Sequence, residues 1–167
     1  RAGITPQETF GSMQAGAIDG ASIGPPVVEQ LLQNNFAVVL ADGTMGNPVD
    51  PPWLSHIDAN VILVRKQTCT DHRSLCQKMG QAMVKAAAYA HQHADETKKI
   101  LAKRLNITDT DVLQKTYDVT MAATPLAPVL DAKGLETADQ LNVEAGFLPA
   151  GDKLKSYDNI FTNEFVK

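Results

Sequence analysis

Apolar and polar positions alternate along this chain in blocks of helical and strand length. Thr5-Pro6-Gln7-Glu8 is a capping box with proline at the first helical position, and Phe10 and Met13 follow before Gly16. This predicts a short helix over Pro6–Ala15. Ile18, Ala21 and Ile23 predict a short strand, stopped by Gly24-Pro25-Pro26 because proline cannot extend a central ladder. Val27, Val28, Leu31 and Leu32 mark one helical face, closed by Asn34-Asn35. Phe36-Ala37-Val38-Val39-Leu40 is a continuous apolar run, the pattern of a strand buried on both faces. The order helix, strand, helix, strand predicts an α/β layer architecture with parallel pairing.

From Asp42 to His56 the pattern gives way to loop chemistry, with Gly43, Gly46, Pro48, Pro51 and Pro52. Ala59–Val64 reads as a further buried strand. Thr70 or Asp71 then caps a long helix to about His93, with Leu75, Cys76, Met79, Ala82, Met83, Ala86, Ala87 and Ala90 on one broad face. Asp95-Glu96 opens the next helix, where negative charge suits the dipole. Thr108 to Asp111 caps another, and Leu135–Ala145 predicts one more, ending at Gly146. Residues up to about 55 therefore read as α/β and those from about 70 as nearly all helical.

Composition narrows the function classes. The chain has 167 residues, 44% hydrophobic and 20% charged, with a net charge of −4. These values suit a folded chain and exclude disorder and coiled coil. No apolar run reaches the roughly 20 residues that span a bilayer. No basic run marks a nucleic-acid face, and aromatics at 5% are too sparse for base-stacking platforms. The sequence opens on Arg1 without an initiator methionine or signal peptide, so we expect it to start inside a longer protein.

Reactive chemistry is scarce. No glycine-rich phosphate loop, zinc-protease motif or nucleophile elbow is present. His91 and His93 would point about 200° apart on a helix and cannot share a metal there. His72, beside Asp71 and near Cys76, reads as a helix cap more readily than as part of a Cys/His dyad. Asn106-Ile107-Thr108 fits a glycosylation triplet, and Asp109 and Asp111 lack the glycine and final glutamate of a calcium loop. Trp53 is a surface plug on its loop or a ligand-stacking ring. Cys69 and Cys76 are either free thiols, one buried and one exposed, or a single bridge; two cysteines are too few for a disulfide scaffold. This poverty favours a binding module, with Ser22-Ile23-Gly24-Pro25-Pro26 as a strand-to-helix turn where parallel sheets hold ligands.

The run Phe10 to Pro26, FGSMQAGAIDGASIGPP, resembles the second-lobe segment of periplasmic solute-binding proteins of ABC transporters, in the nitrate/sulfonate/taurine group. Met13 to Ala21 matches the group's helix end, and Val38-Val39-Leu40-Ala41-Asp42-Gly43 its next strand. Ile62 to Lys66 looks like the strand returning to the first lobe. Ala94-Asp95-Glu96 and the tail Tyr157 to Phe165 follow the same order. The chain departs from the group at Gly24-Pro25-Pro26, where Trp-Glu-Pro is common, which leaves room for a larger or different ligand.

The resemblance implies an α/β fold, part of a two-lobed periplasmic-binding-protein fold: a three-layer α/β/α lobe followed by a mostly helical part. Residues 1–55 would close lobe two, and residues 56–167 would hold the hinge return strand and the C-terminal helical portion of lobe one, the N-terminal portion of the parent being absent. Its implied function is non-catalytic: capture of a small molecule between two lobes and delivery to a membrane permease, without a cofactor or metal and without nucleic acid. The ligand-binding residues implied are Ser22, Gly24, Pro25, Pro26, Trp53 and His56. Partners would be the permease and the missing lobe or another copy of the chain, and the location periplasmic or otherwise extracytoplasmic, with or without a lipid anchor. Export to an oxidising compartment implies a Cys69–Cys76 bridge, although paired cysteines are not expected of the group. Thiamine-pyrimidine synthases and the effector domains of transcription regulators share the fold; the first would need a cysteine-rich motif and an active-site histidine, the second an upstream helix-turn-helix.

Overall fold

A computed structural model describes residues 5–42 and 61–166. Seven α-helices are present among the described residues: α1 Pro6–Gln14, α2 Val27–Gln33, α3 Lys66–Asp71, α4 Arg73–Gln92, α5 Ala94–Leu105, α6 Thr110–Ala122 and α7 Ala132–Glu144. A 3-10 turn, Ala150–Asp152, follows. The boundary expected near residue 55 lies outside the described residues.

Local chemistry explains most helix ends. Thr5 and Glu8 form the reciprocal capping box at α1, with Thr5 N donating to Glu8 Oε2 at 2.6 Å and Glu8 N to Thr5 Oγ1 at 3.3 Å. Asp109 Oδ1 accepts from the N–H groups of Asp111 and Val112 and starts α6. Asp131 does the same for α7 through Gly134 N at 2.7 Å. Gly146, at φ +72°, turns the chain out of α7 in the left-handed region that glycine enters without steric cost.

No strand forms among the described residues. The runs read as strands, at 18–23, at 36–40 and from 61 to 64, lie outside every helix and make no ladder. A buried strand needs a hydrogen-bonded neighbour on at least one side, and none of the described segments supplies it. Their apolar side chains are left in solvent: Leu40 is 95% exposed and Leu63 88%. The long helix also departs from the expectation. Thr70 and Asp71 do not cap it; they belong to the separate helix α3, and the chain breaks at His72 (φ −129°, ψ 52°) before α4 begins at Arg73.

The chain divides into two compact units. In the first, Arg1–Leu40 with Ala90–Ala123, α2 packs on both α1 and α6, and α6 on α5. Val27, Leu31, Ile107 and Val112 are its buried apolar residues, and Phe10 meets Phe36 edge-on at 6.0 Å. Tyr117 Oη donates to the Ala90 carbonyl at 3.1 Å, which ties α6 to the end of α4.

In the second unit, Ala41–Tyr89 with Thr124–Lys167, the C-terminal segment acts as a clamp. Asn163 pairs with residue 130 through both ends of its amide: Leu130 N donates to Oδ1 at 3.0 Å and Nδ2 donates to Leu130 O at 2.8 Å. Arg73 reaches Glu164 at 2.9 Å and lies over the Phe165 ring at 5.4 Å. Phe165 sits directly on Gly80, which is buried in α4. Tyr157 Oη donates to Asp139 Oδ2 at 2.8 Å; burial first, then Asp139, push its phenol up to about 12. On α4 the buried positions are Cys76, Gly80 and Ala87, while Leu75, Met79 and Met83 are 40–47% exposed. The ridge of larger apolar side chains thus faces solvent.

Two glycine substitutions should act in opposite directions. A Cβ at Gly80 would stand 2.6 Å from the Phe165 carbonyl carbon, so Gly80→Ala should lower stability by about 1–3 kcal/mol through overpacking. Gly11 in α1 has nothing within 4 Å of such a Cβ, so Gly11→Ala should raise stability by up to about 1 kcal/mol through helix propensity alone. Urea midpoints of the two variants check both signs.

Candidate functional site

Ser22–Pro26, the turn expected to line a cleft, joins the irregular segment after α1 to α2 within the first unit. Ser22, Gly24 and Pro25 are exposed, and Pro26 is half-buried. The peptide bond between Pro25 and Pro26 is cis. Pro26 takes the N-cap position of α2 without a side-chain cap bond, and its carbonyl accepts from Gln30 N at 3.1 Å. Two consecutive prolines offer no N–H, so the hydrogen-bond donors here are the Ser22 hydroxyl and the N–H groups of residues 22–24. No group in the turn titrates near neutral pH. Such a surface can contact a ligand but cannot move a proton. Trp53 and His56 lie outside the described residues.

A polar hollow of about 320 Å³ in the same unit was not foreseen from the sequence. Phe10, Gln30, Gln33, Asn34, Asn106 and Asp109 are among the residues that line it. Gln33 Nε2 donates to Asp109 Oδ2 at 2.9 Å, joining α2 to the start of α6. The Val112 N–H first, and the Gln33 amide after it, hold the Asp109 carboxyl below the usual aspartate range. Asp109 was legible as a cap but not as this cross-link, because Gln33 lies 76 residues away. Asn106, the first residue of the glycosylation triplet, is exposed at the C-cap of α5 in the left-handed region (φ 54°). Ile107 of the same triplet is buried.

None of the remaining candidates is among the residues that line the hollow. His72 occupies the α3–α4 break in the second unit. His91 lies in the last turn of α4, and His93 stands at the N-cap of α5 without a side-chain cap bond. Cys69 and Cys76 are joined as a disulfide, Sγ to Sγ 2.02 Å, with Cα atoms 5.6 Å apart. Among the described residues no group of three or more His, Cys, Asp or Glu side chains could hold a metal ion, and no helix is long and apolar enough to cross a membrane.

Behind the turn, α2 buries a carboxylate. Glu29 is 4% exposed and its Oε2 has no hydrogen-bond partner; neither does Oγ1 of Thr116, 1% exposed on α6, the helix against which α2 packs. Burial pushes the Glu29 carboxyl up, against the pull of its own N–H and of Lys115. No protein-family model, no curated protein and no solved structure matches the chain.

Glu29 should make the fold less stable as the solution becomes less acidic. A carboxyl whose folded pKa is raised takes up protons more readily in the folded state. Its contribution is full below the ordinary glutamate value of 4.5 and is lost as pH rises through the higher folded value. Glu29→Leu should remove this loss, so the unfolding midpoints of variant and parent diverge with rising pH in the variant's favour. Thr116→Val should add about 1 kcal/mol at every pH, by replacing an unpaired buried hydroxyl with a methyl group.

Proposed function

We propose that this chain is the C-terminal part of a ligand-binding component of an ABC importer. It would take a small molecule between two lobes and hand it to a membrane permease. The observation that carries the reading is the ordered set of segments FGSMQAGAIDGASIGPP, VVLADG and ILVRK, which resemble the nitrate/sulfonate/taurine group. The exposed, non-titrating turn Ser22–Pro26 supports it, because a surface without proton-moving groups suits capture better than chemistry. The three-layer α/β/α lobe belongs to the same proposal. The apolar runs 36–40 and 61–64 have strand composition and much of their surface in solvent. Pairing with a sheet supplied by a first lobe, or by a second copy, would bury them. The Cys69–Cys76 bridge supports an extracytoplasmic location, where disulfides persist.

Two competing readings use the same fold: a thiamine-pyrimidine-synthase-like enzyme and a regulator's effector domain. The coding sequence upstream of Arg1 separates them. The importer reading expects an export signal followed by an α/β lobe. A helix-turn-helix there would favour the regulator, and an initiator codon directly before Arg1 would contradict the two-lobed account.

A thermal-shift screen of small polar solutes, organosulfonates and nitrate included, tests binding in the protein that carries both lobes. A solute at 100 times its Kd should stabilise it by about 2.7 kcal/mol. Ser22→Trp should weaken that solute at least about tenfold, equivalent to 1.4 kcal/mol, with the unliganded melting curve unchanged. Equal affinity in Ser22→Trp, or no solute binding at all, would contradict the reading.

A further inference from the structure

We infer that the Cys69–Cys76 disulfide is what breaks the helix at His72, and that its reduction lets α3 and α4 join into one continuous helix over 66–92. This inference does not rest on the functional reading above. Residues seven apart in an α-helix lie on nearly the same face but about 10.5 Å apart along the axis, at about 1.5 Å per residue. A disulfide requires Cα atoms within about 7 Å of each other. The bridge holds Cys69 and Cys76 at 5.6 Å. A continuous helix through residue 72 and this bridge therefore exclude one another.

Thr70 and Asp71, the capping residues at this point of the sequence, bond back to Lys66 and Gln67 within α3 and cap nothing at the break. Neither proline nor glycine occurs between Lys66 and Met79. Helix α4 begins with Arg73, a cation at the positive end of the helix dipole, and its first turn contains no acidic residue. A real helix start would normally show the opposite charge. His72 leaves the helical region, yet its carbonyl still accepts from Leu75 N at 2.9 Å and its N–H still donates to Thr68 O at 2.9 Å. One residue thus interrupts two helical stretches that are otherwise consecutive.

The surroundings decide which side moves. The start of α4 is anchored to the C-terminal segment by Arg73 with Glu164, by the Phe165 ring and by Gly80 under Phe165. Helix α3 has no buried residue. Its described side-chain hydrogen bonds, Gln67 to Asp71 and Thr70 to Lys66, stay within it. On reduction α3 would swing while α4 stays. Residues 61–65, which lead into α3, would be carried with it.

The exchange uses a small-molecule thiol as co-reactant. Cys69 is half-buried and Cys76 4% exposed, so the incoming thiolate attacks Sγ of Cys69. The S–S bond breaks, its electron pair leaves on Sγ of Cys76, and that sulfur takes a proton. A second thiolate attacks the mixed disulfide, forms the small-molecule disulfide and releases Cys69, which is protonated in turn. Two electrons pass from two thiols to the bridge.

The test is NMR on the whole 167-residue chain, oxidised, reduced with dithiothreitol, and as the Cys69→Ser/Cys76→Ser variant. The oxidised chain should show a non-helical Cα shift at His72. The reduced chain and the variant should both show a helical shift there, new contacts between residues i and i+3 across 70–75, and amide exchange at Arg73 and Ser74 slowed about fivefold. A break at His72 that persists in either thiol-free or reduced form would overturn the inference. Loss of helical shifts over 66–71 would also overturn it, as would unfolding of the whole chain, since the bridge would then be a staple. A second variant, Cys69→Ala/Cys76→Ala, must reproduce the helical result, because serine at either position could itself bend a helix by bonding to the preceding turn.

Discussion

A β-strand is a property of a pair. Its backbone N–H and C=O groups need a neighbour, and an apolar run of strand length that lacks one exposes both its backbone and its side chains. The described parts of this chain are organised around that constraint. Helices, which satisfy their hydrogen bonds internally, form wherever the local chemistry asks for them. The runs with strand composition stay irregular, and Leu40 and Leu63 stand almost wholly in solvent. The exposed ridge Leu75, Met79 and Met83 on α4 is the helical counterpart: Phe165 of the C-terminal clamp closes on Gly80, and these larger apolar side chains stay 40–47% exposed.

The two units reach their packing by different means. The first has a small core in which threonines and a glutamate sit beside Val27, Leu31 and Val112. Glu29 and Thr116 each leave an oxygen unpaired, so burial there costs more than an apolar interior would. The second unit depends on its C-terminal segment. Asn163 pairs with the backbone of residue 130 as a neighbouring strand would, and Phe165 closes on the glycine of α4. Both contacts join residues far apart in the chain, and both need a small or amide side chain at one position.

What the sequence made legible follows from range. The capping box of Thr5 and Glu8, the cap Asp109 within Thr108–Asp111, and the left-handed exit at Gly146 act within three residues, and each is where the pattern places it; Asp131, which caps α7, was not picked out as a cap. A helix boundary near residue 72 was legible, since Thr70, Asp71 and His72 read as caps; the short helix α3 before it was hidden, and so was the covalent tie between residues 69 and 76 that spans the break. The hollow between α2 and α6 was hidden because Gln33 and Asp109 meet across 76 positions. Of the candidate site, the turn Ser22–Pro26 could be picked out by its glycine and prolines, which punctuate any chain. Those residues carry little chemistry, so their position gives a surface without specifying a ligand.

Under the proposed function, the exposed apolar runs and the α4 ridge are surfaces that a first lobe or another copy of the chain would cover. Large contiguous apolar patches are rare on soluble monomers. Sedimentation velocity of the 167-residue chain over a concentration series, paired with binding of an apolar-surface dye, tests this most directly. Association should grow with concentration, and strong dye fluorescence should fall as association proceeds. A chain that stays monomeric at high concentration with little dye bound would contradict it, because its helices would then be covering themselves.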